Sequence, residues 1–266
     1  MKTFRYWAKF EGFLLVDGVE RKAAFLGGSN SSEEDARNTA IRKFESVQRR
    51  ISGHKNEFES YEAEIREELI EEIDESAVIT RNRYGAHVLN TEKQMILDVD
   101  EPPVSFFDLF ARRSAEWKLK KLKKVTEKLH ISLGQPSLGF RIYQTCKGFR
   151  VIVTGQAIVP KEALADRISR KLNADPLYWH LCKKQNCYRA RLTPKPYRIK
   201  YRTIKIKVPA DAQFKEEIAS WERGYWEKSK NYSVCRYAAT VGSDNANDLI
   251  LLHDKYTRAN ESRKLA

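Results

Sequence analysis

The chain has 266 residues, 41% of them hydrophobic and 32% charged, with 12 Tyr, 12 Phe and 5 Trp; that is enough apolar volume for a full core and excludes wholesale disorder. Its longest apolar runs, Val151-Ile152-Val153 and Leu249 to Leu252, fall far short of the roughly 18 residues of a membrane-spanning helix, so no membrane partner is expected. The formal net charge of +13 is concentrated, because residues 111–210 hold 25 Lys and Arg against five acids while residues 54–78 hold ten acids against Lys55 and Arg66; so basic a stretch favours a polyanionic partner, since each neutralised phosphate releases condensed counterions.

The N-terminus has a charged start but neither the apolar stretch nor the small-residue cleavage site of a secretory signal. A cytoplasmic protein with Cys146, Cys182, Cys187 and Cys235 as reduced thiols is therefore expected. Residues 4–15 and 20–27 read as two strands turned around Asp17-Gly18, a favoured hairpin pair. Ser-Asn-Ser-Ser-Glu-Glu-Asp (29–35) supplies a helix start for residues 36–51, which completes a small ββα module over 1–53. In the acidic segment after it, Phe58, Tyr61, Ile65, Leu69 and Ile73 recur at helical spacing and predict a helical connector over 54–76.

From Ala77 the texture changes to short strands, at 77–80, 85–89 and 94–99, the last stopped by Pro102-Pro103. Phe106 to Leu129 is a long helix by its apolar spacing, with Arg112, Arg113, Lys118, Lys120, Lys121, Lys123 and Lys124 on its polar side. Residues 138–143 and 149–154 form the arms of a hairpin around Lys147-Gly148, and Pro160 to Leu172 is a helix. Asp175-Pro176 opens a mixed segment, and alternation from Tyr197 to Val208 predicts a half-buried strand with a basic outer face. Helices at 211–230 and 245–260 finish the chain as a tail over 211–266. Strands and helices without strict alternation point to an α+β fold: a mixed or antiparallel sheet core over 77–210 with helices on one side.

Two acids one residue apart close the strand Met95-Ile96-Leu97-Asp98-Val99-Asp100. Side chains at i and i+2 share a strand face, so these carboxylates stand about 7 Å apart. They repel unless a cation sits between them, and Mg²⁺ or Mn²⁺ would relieve that conflict. Alone, such a pair also marks a strand leaving the core, with one acid capping the next segment. The hairpin at 143–151 offers the Gly148 backbone beside Lys147 and Arg150, a set of donors suited to phosphate. Tyr188-Arg189-Ala190-Arg191-Leu192-Thr193-Pro194-Lys195-Pro196 brings further cations to a proline-held edge.

Together, and in this order, the three stretches resemble the archaeo-eukaryotic primase superfamily of nucleotidyltransferases over about residues 77–210. Leu97-Asp98-Val99-Asp100 looks like the family's D-x-D strand, and Thr145-Cys146-Lys147-Gly148-Phe149-Arg150-Val151 looks like its S-G-x-x-G-x-H hairpin. Asp175 followed by Lys195 is similar in spacing to its late acid and lysine. The hairpin departs from the family pattern: Arg150 stands where the family has histidine, and the serine-glycine opening is absent. The resemblance implies an RRM-like core and two-metal nucleotidyl transfer, with Asp98, Asp100 and Asp175 as catalytic metal ligands for Mg²⁺ or Mn²⁺. It further implies that Lys147, Gly148, Arg150, Arg191 and Lys195 hold a nucleoside triphosphate. DNA or RNA would run along Arg112, Arg113, Lys120, Lys121, Lys124, Arg198, Lys200 and Arg202, with Tyr197 and Tyr201 as stacking rings.

Two further readings stay open from the residues: a non-catalytic nucleic-acid-binding protein in which the acids only end a strand, and a metal-dependent nuclease, since D-x-D does not separate synthesis from hydrolysis. His180, Cys182 and Cys187 lack the paired knuckles of a structural zinc site and read as packing residues. His253-Asp254 has no matching nucleophile in the sequence pattern.

Overall fold

The computed structural model describes residues 1–53, 63–103 and 114–266. It shows an α+β fold with antiparallel sheets, led by a hairpin and a helix. Strands β1 (Tyr6–Val16) and β2 (Val19–Ser29) pair along their full length, from Tyr6↔Ser29 to Val16↔Val19. The turn between them holds Asp17 at φ 52° and Gly18 at φ 77°, the left-handed pair that the Asp-Gly sequence favours. Helix α1 (Glu33–Ile51) is capped by Ser32, whose hydroxyl accepts from the Asp35 amide at 3.0 Å. Ala36 and Ala40 lie against the hairpin with no exposure. The contact is close because Gly27 has no side chain: a Cβ there would stand 2.0 Å from the Ala36 carbonyl oxygen.

Strands β3 (Glu68–Asp74), β4 (Ala77–Arg81), β5 (His87–Thr91) and β9 (Tyr188–Arg191) form one four-stranded sheet in the order β3-β4-β5-β9. The expected helical connector is thus corrected over residues 68–74. β4 is buried along its length, and its backbone needs a partner on the β3 side, so tertiary pairing overrides helical spacing. Two bulges in the β3–β4 register absorb the mismatch. Glu68, Glu71, Glu72 and Asp74 then mark an outer strand, where charge blocks further pairing. Residues 54–62, including Phe58 and Tyr61, lie outside the described residues, as do residues 104–113 with Arg112 and Arg113.

The second sheet has the order β11-β7-β8-β6, all antiparallel. It comprises β6 (Ile96–Val99), β7 (Gly139–Thr145), β8 (Phe149–Thr154) and β11 (Cys235–Gly242). Helix α2 (Ala115–Leu133) packs on β7 and β11. Helices α3 (Ala163–Leu172), α4 (Pro176–Gln185) and α6 (Asp248–Thr257) add Ile168, Trp179 and Ile250 to a core shared with both sheets. β11 corrects the expectation of a helical tail over 211–266, since that segment also supplies an edge strand to the second sheet. Its Cys-Arg-Tyr-Ala-Ala-Thr-Val run is interrupted by a bulge between Tyr237 and Ala239, which breaks the period of two that marks a strand.

The predicted strand over 197–208 is also corrected. Residues Pro196–Ile199 form a 3₁₀ turn, ended by Lys200 at φ 55°. The chain then runs without a ladder apart from one bond, the Ile206 amide donating to the Arg83 carbonyl at 2.7 Å. The alternation survives as burial, with Ile204 and Ile206 packed inward and Lys205 and Lys207 exposed. Both isoleucines join Ile199, Ile218, Trp221 and Tyr225 in a smaller core with helix α5 (Ala212–Ser229). Two short strands, β10 (Tyr232–Ser233) and β12 (Lys264–Leu265), pair in parallel beside it.

Candidate functional site

The pairing of β6 with β8 sets Asp98 opposite Arg150, and β8 with β7 sets Arg150 opposite Tyr143, which faces Tyr237 on β11. Directly paired residues share a sheet face, so an acid, a guanidinium and two phenol rings form one row across four strands. The Arg150 Nε donates to Asp98 Oδ1 at 3.1 Å. Its Nη1 donates to the Arg191 carbonyl at 3.0 Å and lies 3.2 Å from His253 Nε2. Arg150 is 1% exposed. Burial is the largest influence and works against its charge, but Asp98, joined by Cys235 and Tyr178, holds the guanidinium above its ordinary range.

Helix α6 closes this face. Arginine has only donors, so the His253 Nε2 near Arg150 accepts, and the proton sits on Nδ1, which donates to Asp254 Oδ1 at 2.9 Å. Desolvation, joined by the Arg150 charge, pushes the imidazole below its ordinary range despite the pull of Asp254. Asp254 Oδ2 accepts from Arg141 Nη2 at 3.0 Å, and Arg141 also bonds Asp244 and the Tyr143 hydroxyl. A continuous hydrogen-bonded chain, charged except at the neutral His253 imidazole, therefore runs Asp98–Arg150–His253–Asp254–Arg141–Asp244. Cys235, with no exposure, places its sulfur 4.0 Å from His253 Nε2. Cysteine, histidine and aspartate in that order suggest a nucleophile and its base, but burial pushes the thiol up to about 11 and Arg150 occupies the nitrogen that would take its proton.

The three predicted stretches do meet. The Asp175 amide donates to the Asp98 carbonyl at 3.0 Å, and Arg191 reaches Arg150 through its carbonyl. Their side chains serve other ends than those expected. Arg150 is turned into the protein and offers no surface to a triphosphate. The Gly148 amide donates to the Thr145 hydroxyl at 3.1 Å. This glycine answers a packing need: a Cβ would lie 2.5 Å from the Val99 carbonyl. Asp175 caps α4, accepting from the Tyr178 amide at 2.9 Å. Asp100 and Lys147 are exposed or nearly so at the rim of the hairpin, and Lys195 and Arg191 are half-buried. Tyr201 is not a surface ring, since its hydroxyl donates to the Trp221 carbonyl at 3.0 Å and its ring meets Trp221 edge-on.

Mg²⁺ or Mn²⁺ does not fit this donor set. One Asp98 oxygen is held by Arg150, the Asp175 carboxylate by a helix amide, and among the described residues no three His, Cys, Asp or Glu side chains gather to hold a metal ion. A divalent ion at Asp98 would also add positive charge beside a buried guanidinium. His180 is exposed while Cys182 and Cys187 are buried, with burial pushing both thiols up to about 12.

The exposed charge lies elsewhere. On α2, Leu122, Thr126 and Leu129 are buried while Lys120, Lys123, Lys124 and Lys128 are exposed, with Lys121 half-buried. Along 200–207, Lys200, Arg202, Lys205 and Lys207 are all exposed, and Arg198 just before them is half-buried. A cleft of about 540 Å³ opens at the far end of β6 between Lys93, Gln94, Gly155, Asn245 and Asn247, and no predicted site residue lines it. Among the described residues no helix is long and apolar enough to cross a membrane.

Sequence reasoning passed over Arg141 and Tyr143, and read Cys235 only as a reduced thiol. The available signal was Arg141 itself: a cation inside the apolar run Phe140-Arg141-Ile142-Tyr143 must find an acid when that strand is buried. Compared with known proteins, the chain matches no family model, no curated protein and no solved structure.

Proposed function

We propose that the protein binds nucleic acid without metal chemistry, on a primase-like arrangement of motifs in which the D-x-D strand holds the fold together. One observation carries this reading: Lys200, Arg202, Lys205 and Lys207 all stand exposed within residues 200–207, Lys205 and Lys207 alternating with the buried Ile204 and Ile206. No acidic partner neutralises these four among the described residues. Such a row suits a phosphate backbone, where displaced counterions supply the driving force. The burial of Arg150 on Asp98 favours binding over transfer or hydrolysis, because both of those reactions need the acid pair for metal.

The test replaces Lys200, Arg202, Lys205 and Lys207 together by alanine and measures affinity for a fluorescein-labelled oligonucleotide by anisotropy. Four lost phosphate contacts predict a loss on the order of a hundredfold at low salt, with a shallower salt dependence. Unchanged binding would remove the segment from the interface. Nucleotide incorporation or strand cleavage by the wild type would restore the catalytic readings.

A further inference from the structure

The 3₁₀ turn at Pro196–Ile199 carries Tyr197, a large ring left 58% exposed while its neighbours Pro196 and Ile199 are buried. The turn is pinned from several sides. The Tyr201 amide donates to the Pro196 carbonyl at 2.9 Å, and the Arg198 amide to the Lys195 carbonyl at 2.9 Å. The Tyr225 hydroxyl holds Thr193 at 2.8 Å and also bonds the Pro194 carbonyl, and Thr193 accepts from the His87 amide at 2.9 Å. The ring therefore projects from a rigid base. Lys195 Nζ lies 5.9 Å from its centroid, and Lys195 and Arg198 draw the phenol below its ordinary range against the upward push of partial burial. An exposed aromatic ring beside two cations, three residues before the basic row begins at Lys200, offers a partner for both things a nucleotide presents: a flat base and a phosphate.

We propose that Tyr197 is a base-stacking platform flanked by phosphate-holding Lys195 and Arg198, which makes single-stranded nucleic acid the preferred ligand. In a duplex the bases are already stacked and their faces covered, so an exposed ring gains nothing there. A single strand leaves them available, and stacking on aromatic side chains is tolerant of sequence. This inference rests on the nucleic-acid reading above and assigns that surface its ligand class.

The test compares wild type, Tyr197→Ala and Tyr197→Phe for anisotropy binding to labelled oligothymidine and to a duplex of equal length. Tyr197 is exposed, so thermal melts of all three variants should coincide. The expected result is about tenfold weaker single-strand binding for Tyr197→Ala, full retention by Tyr197→Phe, and no change on the duplex. Single-strand affinity untouched by Tyr197→Ala overturns the platform while leaving the basic row standing. Binding to neither ligand by the wild type overturns both readings, and equal loss on both ligands reassigns Tyr197 to a general contact and overturns the preference.

Discussion

Asp98 and Arg150 are direct cross-strand partners, 3.1 Å apart, one with a side chain 40% exposed and the other only 2%. The asymmetry decides what the acid is for. A charged guanidinium placed inside a sheet face costs stability unless a carboxylate answers it, and Asp98 does so from the rim.

Asp98→Ala should therefore cost stability. Breaking a fully buried pair costs about 3–5 kcal/mol; because Asp98 is partly exposed, about 2–3 kcal/mol is expected here, as a shift in urea midpoint at constant slope. Asp100→Ala, at an exposed position, should cost under about 0.5 kcal/mol. Equal, negligible effects would mean that Asp98 does not support Arg150.

His253 makes stability depend on pH. Its native imidazole is held below the ordinary range by burial and Arg150, so the unfolded chain binds the proton more readily. Stability is fully present above the unfolded value near 6.5 and falls as pH drops below it, by up to about 1.4 kcal/mol per pH unit until the native group also titrates. His253→Gln keeps an acceptor for Arg150 and removes the titration. Melting temperatures between neutral and mildly acidic pH should fall for the wild type and less for the variant; parallel curves would exclude His253 as the source.

The N-terminal module depends on one missing side chain. Gly27→Ala drives a methyl into the α1 backbone at Ala36 and Ala40, and overpacking of this kind costs about 1–3 kcal/mol or more. Hydrogen exchange should show loss of protection in α1, with the sheet of β6, β7, β8 and β11 unaffected. Uniform loss over the chain would mean that the module and the sheets unfold as one unit.

What the sequence made legible was local. The Asp17-Gly18 turn, the Ser32 cap and the arms of the 139–154 hairpin each follow from residues adjacent in the chain. That the stretches carrying Asp98, Arg150, Asp175 and Arg191 meet was an expectation of the family resemblance alone, and they meet through the Asp98 and Arg191 backbone carbonyls rather than around a shared ion. The use to which Arg150 is put was hidden, because it is settled by His253 and Asp254 about a hundred residues away on α6. The strand at 68–74 was hidden for the same reason: its helical spacing is intrinsic, whereas the demand of β4 for a partner is tertiary. Alternation gave the inward isoleucines and outward lysines at 204–207, but neither the exposure of Tyr197 nor the absence of a neighbouring ladder.

The most direct test of the account is the affinity of the wild-type protein for a labelled single-stranded oligonucleotide across a salt series in EDTA, repeated with Mn²⁺. Four or more phosphate contacts predict a log–log slope of about −3 or steeper, at about −0.7 per contact, with no strengthening by Mn²⁺. Binding that is absent in EDTA and restored by Mn²⁺, or that does not respond to salt, would contradict it.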